Sequence, residues 1–374
     1  MKKEAYILIG CPGSGKSTYV HNVIKTKSTP YVIISSDAIR KELFGDLNNK
    51  DIYDKEHHNK VFNLFDIKLR DAINSSVDTI ILDAMNLSSK GRIALYNKLN
   101  KGDYLVKATM LVEPLDTLYN RQSNPDRDKS LSKTLLKNKL LSLNPPMKGV
   151  DCDDLEIITT TPPFRNSQSL DLVQFVRYAE QQSITAAITY LHNDWYNELQ
   201  SIKVPHETPY HKESVNEHID LTVKYDLSKL SSRNKGPIML PNEIDFNNSM
   251  HIDILVIKAI AALHDLGKGL AKNEGRYFGH ENLSAVYAAL FTQTIHGVSE
   301  EMKDTLYNRI VNGVRFHMEA HKGLSKKLIE KYKLSIDNLL DLELFARIDS
   351  ESSIRDTEWL ESFRGGDFYW TIII

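Results

Sequence analysis

Two runs of residues in this 374-residue sequence have the types and spacing for phosphate chemistry, and they lie in different halves. Residues 10–18 read Gly-Cys-Pro-Gly-Ser-Gly-Lys-Ser-Thr, a full match to G-x-x-x-x-G-K-[ST], set between an apolar strand-like run and a helix-like run. In such a loop the glycines let backbone N–H groups turn inward around a phosphate, and the following helix adds its dipole. Gly13, Ser14, Gly15, Lys16, Ser17 and Thr18 are therefore the expected contacts to ATP or another NTP. Lys16 bridges the β- and γ-phosphates, and Ser17 ligates Mg²⁺.

Further polar residues follow strand-like runs, where open α/β sheets build their sites. After Tyr31–Ser35 comes Ser36-Asp37-Ala38-Ile39-Arg40. Asp37 is placed to take the proton of an attacking hydroxyl, and Arg40, one turn on, to hold an acceptor phosphate. A structural alternative stays open, with Asp37 the N-cap of a helix Ala38–Phe44 and Arg40 solvated. Asp83 closes the apolar run Ile80–Leu82 as a Walker-B-like carboxylate near the Mg²⁺, and Ala84-Met85-Asn86-Leu87 would line the acceptor site. The polar segment Asn120–Arg127 carries Arg121 and Arg127, suited to a lid that stabilises charge on a transferring phosphoryl group.

The second run is built from histidine. Nine of the 13 histidines fall between His206 and His321, which concentrates metal chemistry in the second half. His264-Asp265 follows a buried helical run and precedes a glycine. Adjacent residues point about 100° apart on a helix, so a shared metal needs ligands from elsewhere. His218, His280, His317 and Asp349 are the suppliers; His317 and Asp349 each end an apolar stretch and point inward. Imidazole and carboxylate together suit Mn, Co, Ni, Zn or Fe. All six ligands would hold two metals, four would hold one. Lys268, a turn beyond His264, is placed to steady developing negative charge. His251, His296 and His321 read as surface or core residues, and His211 as a substrate contact or a loop residue.

The elements that must position these groups divide in two. Ala5–Ile9, Tyr31–Ser35, Thr79–Leu82, Val106–Val112 and Leu155–Thr159 read as strands interleaved with helices, which implies an α/β domain with a parallel sheet and helices on both faces. The strand pattern stops at Thr159–Asn166, where Pro162-Pro163 interrupts regular structure. From Leu170 the pattern is helical, with apolar runs Ile252–Leu266 and Leu283–Thr294. The expected division is 1–162, a linker with a connecting helix over 163–185, and an all-α domain over 186–374. The net charge of −2 argues against coating long nucleic acid and leaves a local groove for any strand that is bound. Two cysteines in no ligand or disulfide pattern point to a reducing cytoplasmic setting. The start reads as a buried strand, not a signal peptide, and no apolar run approaches the ~20 residues of a membrane span.

The glycine loop, Asp37 and Arg40 as D-x-x-R, Asp83–Leu87 as D-x-x-N-L, and the two arginines resemble, in order and spacing, the kinase domain of phage polynucleotide 5′-kinases. That resemblance implies Asp37 as general base for a 5′-hydroxyl and Arg40 as a contact to the nucleotide's 3′-phosphate. The family's usual D-x-D-G-T phosphatase partner is missing. In its place His218, His264-Asp265, His280, His317 and Asp349 resemble the HD phosphohydrolase superfamily, and GRYFGHE at 275–281 is similar to HD domains joined to tRNA nucleotidyltransferases. Together these resemblances imply an enzyme that phosphorylates 5′-hydroxyl ends of RNA or DNA and clears 3′ or 2′,3′-cyclic phosphates, serving a ligase, with no membrane partner. Two alternatives stay open: a small-molecule kinase fused to a nucleotidase, and an ATP-sensing domain regulating an HD phosphohydrolase.

Overall fold

The computed structural model describes residues 3–26, 30–45, 47, 50–75, 77–123, 130–165, 170–206, 212–228, 252–273 and 276–353. The chain forms two compact units, Met1–Thr161 and Pro162–Ile374. Arg127, His211, His251 and most of the polar segment 225–248 lie outside the described residues.

In the first unit, β1 (Lys3–Ile9), β2 (Tyr31–Ser35), β3 (Thr79–Asp83), β4 (Tyr104–Leu111) and β5 (Asp154–Ile158) form one sheet in the order β2-β3-β1-β4-β5. Every pairing is parallel. Ala5 to Ile9 are all buried, so the central strand is covered on both faces, which its unbroken apolar run requires. The helix Lys16–Thr26 covers one face, packing Val20 on Tyr6, Leu8 and Ile81. Because the strands are parallel, their carboxyl ends share one edge. The loop from Gly10, Asp37, Asp83, Glu113 and Thr159–Thr161 all follow or end strands there.

That edge is tied down from within. Arg92, fully buried on the helix Ser89–Asn100, donates to Asp151 at 2.9 Å, to Ser89, and to the carbonyls of Asn86, Leu87 and Pro145. Asn86, at φ 45°, donates 2.7 Å to the Leu8 carbonyl and so joins the exit of β3 to β1.

The second unit, among the described residues, contains helices and no strand. The stretch 163–185 contains a connecting helix that packs into the second unit. Its helix Leu172–Gln181 buries Leu172, Phe175, Val176 and Ala179, and Phe175 packs on Phe164 and Phe291 at 6.2 and 5.4 Å between ring centroids. The central helix Ile252–Leu263 is buried at every position from Ile254 to Leu263. It is crossed closely by Glu300–Ala320: a Cβ on Gly313 would meet Ile260 Cδ1 at 2.2 Å, so only glycine permits the approach. The helix Ile336–Ser352 starts at a capping box of Ser335 and Asn338, and Asn338 is also bonded to Asn312 and to the Asn308 carbonyl. No helix among the described residues is long and apolar enough to cross a membrane.

The buried pair of Arg92 and Asp151 generates a stability prediction. Arg92→Met leaves a fully buried carboxylate without its cation and should destabilise the first unit by about 3–5 kcal/mol, whereas Arg92→Met with Asp151→Leu should cost less. Urea unfolding of the full chain, followed by a probe in the first unit, measures both.

Candidate functional site

At the sheet edge of the first unit, the phosphate loop takes the shape its glycines allow. Gly13 and Gly15 adopt φ of 92° and 98°, and a Cβ on Gly13 would strike Gln122 Nε2 at 2.9 Å. Lys16 Nζ donates to the carbonyls of Gly10 and Cys11 at 2.8 and 3.1 Å, so its ammonium lies over the loop. Cys11 is buried, and burial pushes its thiol up to about 12, which leaves a small inert residue. Ser17 and Thr18 follow in the first turn of the helix.

Around the loop the carboxylates gather. β3 holds Asp83 in register beside Ser35 of β2. Burial raises the Asp83 carboxyl above its ordinary range; Asp37 adds to the rise, while Lys16 and a hydrogen bond from Ser35 oppose it. Asp37 is not the N-cap. Ser35 caps the helix Ser36–Phe44 by accepting from the Ala38 N–H, which leaves the exposed Asp37 carboxylate in the first turn, 3.1 Å from Arg40 Nη1. Nor is Arg40 solvated. It is 6% exposed, stacked 4.7 Å over the Tyr53 ring, and its buried Nε has no hydrogen-bond partner. Arg121 reaches the phosphate loop, donating 3.0 Å to the Gly13 carbonyl and 2.6 Å to Thr160 Oγ1.

In the second unit the six expected ligands converge. His218, His264 and Asp349 form one group, and Asp265, His280 and His317 another, with the donor atoms of each group within 4.8 Å of one another. Asp265 faces both. Its Oδ1 lies 3.4 Å from His280 Nε2 and 3.7 Å from His317 Nε2, and its Oδ2 lies 3.3 Å from His264 Nε2 and 4.0 Å from His218 Nε2. His218 Nε2 is also 2.7 Å from Asp349 Oδ1. Lys268 Nζ sits 2.6 Å from Asp265 Oδ2.

Each ring is braced from behind. His264, His280 and His317 place Nδ1 2.9, 2.7 and 2.7 Å from the carbonyls of Ala261, Tyr277 and Val314. His218 Nδ1 is 3.2 Å from the buried Glu213 carboxylate. Such partners fix the tautomer and turn Nε2 toward the cluster. Despite the short separations, His264 Nε2, both Asp265 oxygens and Asp349 Oδ1 are buried without hydrogen-bond geometry. His280 Nε2 and His317 Nε2 also lie 3.3 Å apart, and buried donors that converge in this way are what a cation site presents.

Burial opposes ionisation of Asp265, yet His264, Lys268 and His280 outweigh it and hold the carboxyl well below the usual range. Asp349 is likewise held low against burial by His218, His321 and His264. His218 loses basicity to burial but gains more from Asp349, Glu213 and Asp265, ending at about 9. Burial, then His280 and His264, push His317 well below its ordinary value.

Several contributors escaped the sequence reading. Glu113, two residues past β4, is buried and accepts from the Thr160 N–H and hydroxyl, both at 2.8 Å. Glu213 precedes its helix and carries no motif that marks it. His206, bonded to Lys268 at 3.1 Å, sits among otherwise unremarkable loop residues. His321 is no bystander: its Nε2 lies 2.7 Å from Asp349 Oδ2. Its position one turn after His317 is the single available signal.

Residues 6–136, all within the first unit, match the family model of an AAA domain. With the sheet order and the phosphate loop, this match defines the first unit as a P-loop, kinase-like α/β domain. Among solved structures, a chain of the Pnkp1/Rnl/Hen1 RNA repair complex is 20% identical, covering 38% of this chain and 44% of that one, with a TM-score of 0.34. A sugar kinase from Janibacter sp. HTCC2649 is 19% identical over 42% of this chain and 85% of that one, with a TM-score of 0.32. A gluconokinase from Sinorhizobium meliloti 1021 is 18% identical over 43% and 85%, with a TM-score of 0.29. The chain spans less than half the length of the RNA repair chains it is similar to. No curated protein matches it.

Glu213→Gln keeps the shape behind His218 but removes the charge. It should weaken divalent-metal binding by about 10–100-fold. Competition titration of Mn²⁺ or Zn²⁺ against a chromophoric chelator measures the change.

Proposed function

We propose that the chain is a bifunctional end-healing enzyme, an ATP-dependent 5′-hydroxyl kinase of RNA or DNA joined to a metal-dependent phosphohydrolase that removes 3′ or 2′,3′-cyclic phosphates. Its products would be the ends a ligase consumes. The observation that carries the kinase reading is the gathering of Lys16, Asp83, Asp37 and the buried Arg40 at one sheet edge.

In this reading the loop amides and Lys16 hold the β- and γ-phosphates, with Ser17 and Asp83 placed for Mg²⁺. Arg40 fixes the phosphate of the acceptor nucleotide. Asp37, exposed and bonded to Arg40 through one oxygen, takes the proton of the 5′-hydroxyl as its oxygen attacks the γ-phosphorus and ADP leaves. Arg121 lies close enough to the loop to offset charge on the phosphoryl group; Arg127 is assigned the same role from the resemblance alone.

For the second unit the carrying observation is the buried cluster of six donors with Asp265 between its two groups. His218, His264, Asp265, His280, His317 and Asp349 would hold one or two divalent transition metals. Metals bound there would supply a water of lowered pKa and neutralise phosphate charge. The chain's own part is to hold the donors, through the braces behind each ring, and to present the Lys268 ammonium to the phosphate.

Three substitutions test the pairing. Asp37→Ala should abolish transfer of labelled phosphate from ATP to a 5′-hydroxyl oligonucleotide while leaving ATP affinity within a few-fold. Lys16→Ala should stop the kinase and spare phosphate release from a 3′-phosphate oligonucleotide, because the two sites belong to separate units. Asp265→Asn should do the reverse, cutting phosphate release by orders of magnitude and retaining the kinase. Labelling of a nucleoside or sugar acid in preference to the oligonucleotide would install the small-molecule kinase reading. Phosphatase activity that requires ATP, with no labelled acceptor at all, would install the sensor reading.

A further inference from the structure

Beside Asp37 lies a group of residues that neither the glycine loop nor the metal chemistry explains. The helix Ser36–Phe44 runs against the start of the helix Lys55–Asn74. Arg40 stacks on Tyr53 at 4.7 Å, and Phe44 meets the His57 ring edge-on at 4.7 Å between centroids. The residue after His57 is therefore brought close to Arg40.

His58 is exposed, and one helical turn later Phe62 is 37% exposed, with the two rings 4.5 Å apart. Phe65, buried beneath, supports Phe62 at 5.8 Å. A third helix, Lys133–Leu141, contributes Lys139. Its charge acts on both His58 and Cys11. Partial burial, then Arg40 and Lys139, hold the His58 imidazole below the usual histidine range, which keeps the ring neutral near pH 7.

The two adjacent rings are exposed on their outward side, where they offer flat faces for stacking. Cations alone would suit any anionic acceptor, a sugar acid included. Rings and cations together suit a molecule with flat π-faces and phosphates in alternation, which is a nucleic-acid strand.

We propose that His58 and Phe62 form a stacking platform for a nucleobase of the acceptor strand, and that Lys139, with Arg40, receives the strand's phosphates. The inference rests on the kinase reading of the first unit and extends it: the acceptor is chosen by its bases as well as by its 5′-hydroxyl. The contact is sequence-tolerant, because every base offers a face to stack.

The test is a steady-state kinase assay on the full chain with a 5′-hydroxyl oligonucleotide, beside the same oligonucleotide lacking bases at its first two positions. His58→Ala with Phe62→Ala should raise the KM for the intact strand about tenfold or more, the worth of one stacked base, with kcat and the KM for ATP unchanged. Against the abasic strand, already a poor acceptor for the natural protein, the double variant should lose nothing further. Phe62→Trp should keep or lower the KM, which separates stacking from a folding defect. Lys139→Gln should weaken binding of both strands alike and reduce the salt dependence of that binding by about one charge.

An unchanged KM for the intact strand in the double variant, or an equal loss on both strands, overturns the platform while leaving the kinase reading standing. Failure of the natural protein to label any oligonucleotide overturns the kinase reading itself, and the platform with it.

Discussion

A carboxylate with no access to water has to be met by positive charge on every side, and Asp265 is such a group. It is 1% exposed, and its two oxygens look toward four imidazoles and one ammonium. Much of the second unit follows from meeting that demand. The apolar helix Ile252–Leu263 delivers it to the interior. The glycine crossing at Gly313 lets the helix of His317 come near. The Gly267 N–H, donating 2.9 Å to Ser284 Oγ, docks the turn after Asp265 onto the helix that begins with His280. Removing the charge would leave the converging imidazoles with nothing to converge on.

The first unit meets the same demand at a surface. A parallel sheet puts all its carboxyl ends on one edge, and there Lys16, Arg40 and Arg121 stand among Asp37, Asp83 and Glu113. Lys16 rests on loop carbonyls, and Arg40 keeps a buried Nε without a partner. Charged groups already held in place are suited to receive phosphate, because little reorganisation is needed when it arrives.

Much of this was legible in the sequence because it is written locally. Unbroken apolar runs such as Ile80–Leu82 announced buried strands, and the glycine loop announced its own geometry. His317 and Asp349 were legible as inward-pointing candidate ligands because each ends an apolar stretch. What stayed hidden depends on contacts far apart in the chain. Glu113 acquires its role from Thr160, and Glu213 from the ring it happens to face. A connecting helix over 163–185 is legible from the helical pattern after Leu170, but the burial of Leu172, Phe175, Val176 and Ala179 depends on partners as far away as Phe291. Ser35 displaced Asp37 as the helix cap since it ends β2 directly before the helix, where its extended backbone lets its hydroxyl accept from the Ala38 N–H.

The braces behind the rings of the candidate metal site are of two kinds, and the difference bears on how the site tolerates change over generations. His264, His280 and His317 each lean on a main-chain carbonyl three residues earlier. No substitution can delete a carbonyl, so the presentation of these rings is nearly immune to drift in the surrounding side chains. His218 leans on the side chain of Glu213, and Asp349 on that of His321. Those supports can be lost or exchanged by a single codon change. The half of the cluster formed by Asp265, His280 and His317 is therefore the conservative half. The half that includes His218 and Asp349 is where a descendant protein would most readily retune its choice of metal, or dispense with one.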